Sequence, residues 1–136
     1  MQPNDVELVR VYTKDPAETI SDITAESGKD FDVVLEAEAG SAIHGTGGRY
    51  KFAFVVRDLT ACKCEYYDEV EGFFGDANWL NFNTQIIRTI PAAAMIPSLN
   101  EHIMQVEAVL LTGGVGPTVA PDASFATSPK FIVHEP

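Results

Sequence analysis

FDVVLEAEAG, residues 31–40, sets apolar against acidic side chains with a period of two. Successive side chains of an extended strand point to opposite faces, so Phe31, Val33, Leu35, Ala37 and Ala39 share one face while Asp32, Glu36 and Glu38 take the other. That is the pattern of a half-buried strand, and Val34 alone breaks it. The device recurs in YKFAFVVRDLT, residues 50–60, with Tyr50, Phe52, Phe54 and Val56 on one face. Its β-branched and aromatic content fits a pleated surface. Between the two lies GSAIHGTGGRY, residues 40–50, whose glycines suit a connecting turn.

Working outward, IMQVEAVLLTG at 103–113 sets Met104, Val106, Ala108 and Leu110 against Gln105, Glu107 and Val109, which makes a third strong strand. PKFIVHEP closes the chain as a short strand with Phe131 and Val133 inward. VELVRVYT at 6–13, QIIRTIP at 85–91 and the stretch 60–67 are weaker candidates. Helix signals are poor. DPAETISDITAESG, residues 15–28, has a start pattern in Asp15, Pro16 and Glu18 but no continuing apolar stripe, and reads as loop with at most one turn. Pro97 cuts AAAMIPSLNEH at 92–102. Short strands without a sustained helix predict an all-β, antiparallel sandwich of about seven to nine strands.

The run from SLNEHIMQVEAVLLTGG through SFATSPKFIV resembles the last two strands of an immunoglobulin-like or fibronectin type III-like sandwich, and the earlier strands come in order for A, B and C. The resemblance is architectural. The cysteine pair joining strands B and F is absent, no tryptophan stands in the strand C candidate, and His102 or Ile103 sits where a tyrosine corner would be. It implies that residues 40–49 join B to C, that 113–128 join F to G, and that both loops emerge at one end of the sandwich. His44, Thr46, Arg49, Thr118 and Asp122 would then form the polar part of a binding tip, since long loops on rigid scaffolds often carry function.

One domain, 1–136, accommodates this length. Nine basic and twenty acidic residues give a net charge of −11, which disfavours nucleic acid and anionic membranes as partners. MQPNDVELVR shows neither a signal peptide nor a membrane span, which gives a cytoplasmic expectation.

Cys62 and Cys64 invite a metal or redox reading. A zinc site needs further cysteine or histidine ligands at suitable spacing, and a disulfide between same-face neighbours on one strand is strained, so reduced thiols packed in the core are expected. On a strand both would share a face with Tyr66. Glu65, Asp68, Glu69, Glu71 and Asp76 read as a solvated acidic turn, with calcium as the alternative. HGTGG lacks the GxxxxGK[ST] form that cradles phosphate. His44, His102 and His134 stand in no nucleophile motif, so a catalytic site would have to be assembled in space. Trp79, among Phe73, Phe74, Phe82 and three asparagines, is either a sugar-stacking platform or a plug at one end of the sandwich. The reading that follows is a non-catalytic module, with no cofactor, that binds a protein partner or assembles with itself through sheet edges or the loop tip. A calcium- or glycan-binding domain using the acidic turn and Trp79 is the alternative.

Overall fold

The computed structural model describes residues 5–113 and 122–136. Among these residues nine strands form two sheets. The smaller holds β1 (Val6–Lys14), β3 (Phe31–Ala39) and β6 (Asn83–Ile90) in the order β1-β3-β6, all antiparallel. The larger runs β2 (Thr24–Glu26), β9 (Phe131–His134), β7 (Ile103–Gly113), β4 (Arg49–Asp58) and β5 (Lys63–Phe73), with β8 (Asp122–Thr127) beside β7. A short helix, α1 (Ser41–Gly45), lies in the β3–β4 connection. This is the expected sandwich, and the alternating residues of FDVVLEAEAG and YKFAFVVRDLT supply its interior. Phe31, Val33 and Leu35 from one sheet meet Phe52, Phe54, Val106, Leu110 and Phe131 from the other, each no more than 2% exposed.

β8 and β9 divide the second edge of β7. β8 pairs with Glu107–Thr112 and β9 with Ile103 and Met104. Ser128 closes the break: its N–H donates to the Val106 carbonyl at 2.9 Å and its Oγ accepts from the Val106 N–H at 3.0 Å. The side-chain oxygens of β8 also tie the sheets together, with Asp122 Oδ2 accepting from Val6 N–H at 3.1 Å and Ser124 Oγ from Leu8 N–H at 2.9 Å.

The structure corrects four expectations. First, residues 113–128 are not one loop, because Asp122–Thr127 is a strand; its only large apolar residue, Phe125, faces solvent, so the inward pattern that marks a strand is missing. Second, the segment 15–28 contains β2, which runs parallel to β9 and buries Ala25 completely. Third, the acids from Glu65 to Glu71 lie along β5, an eleven-residue edge strand, and not in a turn. Fourth, Cys62 and Cys64 are exposed free thiols. Cys62 sits in a turn at φ 57°, and a register shift pairs Cys64 with outward Arg57 but Tyr66 with inward Val56, so the shared face is lost.

β3 is also covered on its outer side. Val34 is fully buried between Tyr12 and Ile87, its neighbours in register. Asp32 is only 6% exposed. Lys14 Nζ lies 3.3 Å from its Oδ2, and the Thr89 hydroxyl donates to Oδ1 at 2.7 Å, so the buried carboxylate is paired and hydrogen-bonded as burial demands.

Candidate functional site

The end of the sandwich where the tip was expected is a packed plug. Glycine-rich 45–48 turns the chain from α1 into β4, and the Thr46 hydroxyl fixes that turn by donating to the Ile43 carbonyl at 2.7 Å and accepting from Gly48 N–H at 3.1 Å. Trp79 is 0% exposed. Its ring meets Phe74 at 4.9 Å, Tyr50 at 5.1 Å and Phe52 at 5.5 Å between centroids, and its Nε1–H donates to the Phe82 carbonyl at 3.2 Å. The sugar-platform reading of Trp79 is therefore overturned, because no face of the indole reaches solvent. His44 packs between Phe74 and Phe82, both at 5.4 Å, with Nε2 3.1 Å from the Trp79 carbonyl oxygen.

Asp76 holds this plug. The Tyr50 hydroxyl hydrogen-bonds its carboxylate at 2.8 Å, and the N–H groups of Phe73, Asn78 and Trp79 donate to it at 3.2, 3.0 and 3.0 Å. Burial pushes the Asp76 pKa up, but these donors outweigh it and hold it below the ordinary value. Burial and the same carboxylate push the Tyr50 hydroxyl up.

Of the other tip residues, Asp122 is spent joining β8 to β1, and Arg49 lies over the Phe73 ring at 5.8 Å. Thr118 lies outside the described residues. The five described candidates are not gathered into one site: His44 and Trp79 touch, Thr46 caps a turn beside them, and Arg49 belongs to a sheet face.

A histidine and a carboxylate do converge at the opposite end. His102 Nδ1 lies 2.7 Å from Oδ2 of Asp58, whose side chain is fully buried. A carboxylate only accepts, so Nδ1 carries the proton. Ala61 N–H donates to Oδ1 at 3.0 Å, which closes the β4–β5 turn. Burial raises the Asp58 pKa, but the bonds from His102 and Ala61 outweigh it and lower it overall. The pair could have been found by extending the inward series Tyr50, Phe52, Phe54, Val56 two residues further. It pins the start of β7 to the end of β4, and neither residue lines the grooves described below.

Both depressed carboxylates have a stability consequence. Their contributions are full above the unfolded value, near 3.8, and are lost as pH falls through the lower folded values. Denaturant melts should therefore show stability falling below about pH 4. Asp76→Asn should lower stability at pH 7 and flatten that acid limb; an unchanged limb in both Asp76→Asn and Asp58→Asn would contradict these assignments.

Among the described residues, an open surface spanning several strands is the outer face of the larger sheet. Register builds it in rows across β5, β4, β7 and β8: Glu71, Lys51, Leu111 and Ala123; then Glu69, Ala53, Val109 and Phe125; then Tyr67, Val55, Glu107 and Thr127. Phe125 is 76% exposed, Tyr67 56%, Phe73 53% and Leu111 42%. Ile103 and Ile132, partners in register, continue the apolar surface at the far end. A shallow groove of about 570 Å³ runs between Arg49, Lys51, Glu71, Phe73 and Leu111. A more apolar one of about 220 Å³ lies between Ala53, Val55, Tyr67, Val109 and Phe125. The ion pairs on this face are internal: Lys51 with Glu69 at 2.9 Å and Arg57 with Glu107 at 3.3 Å. The sequence signal for the face was Val109 and Leu111 on the polar side of β7.

The acids suspected of binding calcium are engaged as well, with Asp68 held by Arg88 at 2.7 Å and Glu69 by Lys51. Among the described residues, Asp15, Glu18 and Asp22 bring carboxylate oxygens within 4.8 Å of one another, and Asp22 is already bonded to the Thr24 N–H and hydroxyl. No described helix is long and apolar enough to cross a membrane.

No family model matches the chain, and no curated protein matches it. Solved structures do. A candidate beta-galactosidase from Bacteroides fragilis aligns over 90% of this chain with a TM-score of 0.53 and 10% identity, and this chain spans 17% of that protein's length. AggA, the major subunit of aggregative adherence fimbriae type I from Escherichia coli, aligns over 97% of both chains with a TM-score of 0.50 and 8% identity. The CARDB domain of a Pyrococcus furiosus protein aligns over 95% of this chain and 87% of its own, with a TM-score of 0.46 and 10% identity. The first two likenesses are likenesses of fold.

Proposed function

We propose that this domain is a non-catalytic protein-binding module, immunoglobulin-like or fibronectin type III-like in architecture, whose interface is the outer face of its larger sheet. The observation that carries the reading is the grouping of Tyr67, Phe73, Leu111 and Phe125, each at least 42% exposed, on paired strands of one sheet. Single exposed apolar residues are ordinary, but several gathered on one sheet face among charged neighbours suit an interaction surface. The strand backbone that carries them is set before binding, which lowers the ordering cost of association. At the tip, Trp79, Tyr50 and Phe74 are packed against one another, and the exposed Leu80 and Phe82 of the described residues lie on a loop and not on paired strands.

The test is a comparison of variants on an array of purified proteins. Wild type and Val9→Glu, which alters the outer face of the smaller sheet, are expected to give the same partners, while Phe125→Glu loses them with its melting temperature unchanged. Partners retained by Phe125→Glu but lost on substituting Phe82 at the tip would contradict the reading.

A further inference from the structure

We infer that the occupant of this face is a second copy of the chain, packed face to face about a two-fold axis; the inference rests on the interface reading above and names its partner. Charge distribution points to it. The chain carries a net charge of −11, so two copies repel over most of their surfaces. The outer face of the larger sheet is different: Arg49, Lys51 and Arg57 stand in the outward row of β4, and Glu69, Glu71 and Glu107 flank them on β5 and β7. Three positive and three negative groups make this face neutral. It is a surface on which two strongly acidic molecules can meet without opposing like charges.

A second copy would meet this face in an isologous contact, the same patch on both partners. A two-fold axis running along the strands between β4 and β7 lays each copy's basic β4 row over the other's β7 row, which carries Glu107, Val109 and Leu111. The middle of that contact holds Ala53, Val55, Val109 and Leu111 with Lys51 and Glu107 among them, while Arg49 and Arg57 lie toward the strand ends and Glu69 and Glu71 along the β5 margin. Aligned packing of two sheets at about 10 Å is an ordinary way to bury such faces.

The area is of the right order. Tyr67, Phe73 and Phe125 together expose nearly the equivalent of two full aromatic side chains, roughly 370 Å². A stable interface covers about 800 Å² on each partner. The aromatic stripe thus supplies close to half, and Leu111, Ile103 and the stems of Arg49, Lys51 and Arg57 extend it toward that size. Pairing through the β5 edge is the less favourable alternative for two copies, because antiparallel self-pairing would bring together the acids Glu65, Asp68, Glu69 and Glu71 of both strands.

Sedimentation equilibrium of the full chain over a concentration series, at low and at moderate salt, tests this. Wild type should move from 14.8 kDa toward twice that mass as concentration rises. Added salt should tighten the dimer, because it screens the repulsion between the acidic remainders of the two copies. Phe125→Glu should weaken association by tenfold or more, since the change acts twice in a two-fold interface, while Val9→Glu leaves it unchanged. Circular dichroism melts establish that both variants are folded.

A chain that stays monomeric to millimolar concentration overturns the second-copy inference. The interface reading then survives if Phe125→Glu still abolishes binding on the protein array. A dimer indifferent to Phe125→Glu overturns both. A dimer that loosens with salt overturns the neutral-face account of its assembly.

Discussion

Trp79→Ala should lower the stability of the fold by about 4 kcal/mol, the cost of removing a large aromatic from a site that cannot collapse around the gap. Trp79 is fully buried and its indole contacts three other rings within 5.5 Å. Those neighbours come from β4 and from the turn after β5, so the loss falls on the joint between a central strand and its edge. Its Nε1–H bond to the Phe82 carbonyl goes as well, which frees the segment leading into β6. For a chain of this length the drop in melting temperature is on the order of 15 °C. Trp79→Phe keeps most of the ring volume and should recover more than half of the loss. A melting temperature within a few degrees of wild type for the alanine variant would contradict the burial described here.

The second large effect is expected at Gly72. A Cβ there would lie 2.7 Å from the Tyr50 ring carbon that bears the hydroxyl, and closer still to the Asp76 carboxylate. Neither neighbour can yield without breaking the Tyr50–Asp76 bond that fixes the plug. Gly72→Ala should therefore cost about 3 kcal/mol, through overpacking together with a carboxylate parted from its donors. Gly72→Ala combined with Asp76→Ala should cost less than the sum of the two single changes, because removal of the carboxylate makes room for the methyl group. Additive losses, measured by denaturant melts, would show that the two positions do not share space.

Much of the fold was legible because a strand with one buried face announces itself. Phe31 to Ala39, Tyr50 to Val56 and Met104 to Leu110 alternate as they do since each lines the same interior. Where the rule has a different cause, the sequence misleads. β8 faces its one large apolar residue outward, toward the surface proposed as an interface, and so lacks the inward pattern that marks a strand. β5 lies at a sheet edge, where Glu69 and Glu71 share Lys51 and Asp68 meets Arg88, and such charge reads as a turn when the partners are invisible. Cys62 and Cys64 were expected inside because small apolar side chains generally are; Cys62 sits in the β4–β5 turn and Cys64 faces outward on β5 beside Arg57.

The site was less legible than the fold for a related reason. Loop length singled out His44, Thr46 and Asp122, but the structure spends each of them on holding neighbouring segments together. Residues that make a face are dispersed along the chain: Tyr67, Leu111 and Phe125 come from three strands and meet only through register. Each taken alone is an ordinary exposed apolar residue. Their grouping is a property of the sheet.

Hydroxyl-radical footprinting across a concentration series compares the face with the tip directly, since Tyr67 and Phe82 are almost equally exposed, at 56% and 54%. Oxidation of Tyr67 and Phe125 should fall as the chain is concentrated while that of Phe82 stays constant. Protection of Phe82 with Tyr67 and Phe125 unchanged would place the contact at the tip and contradict the account.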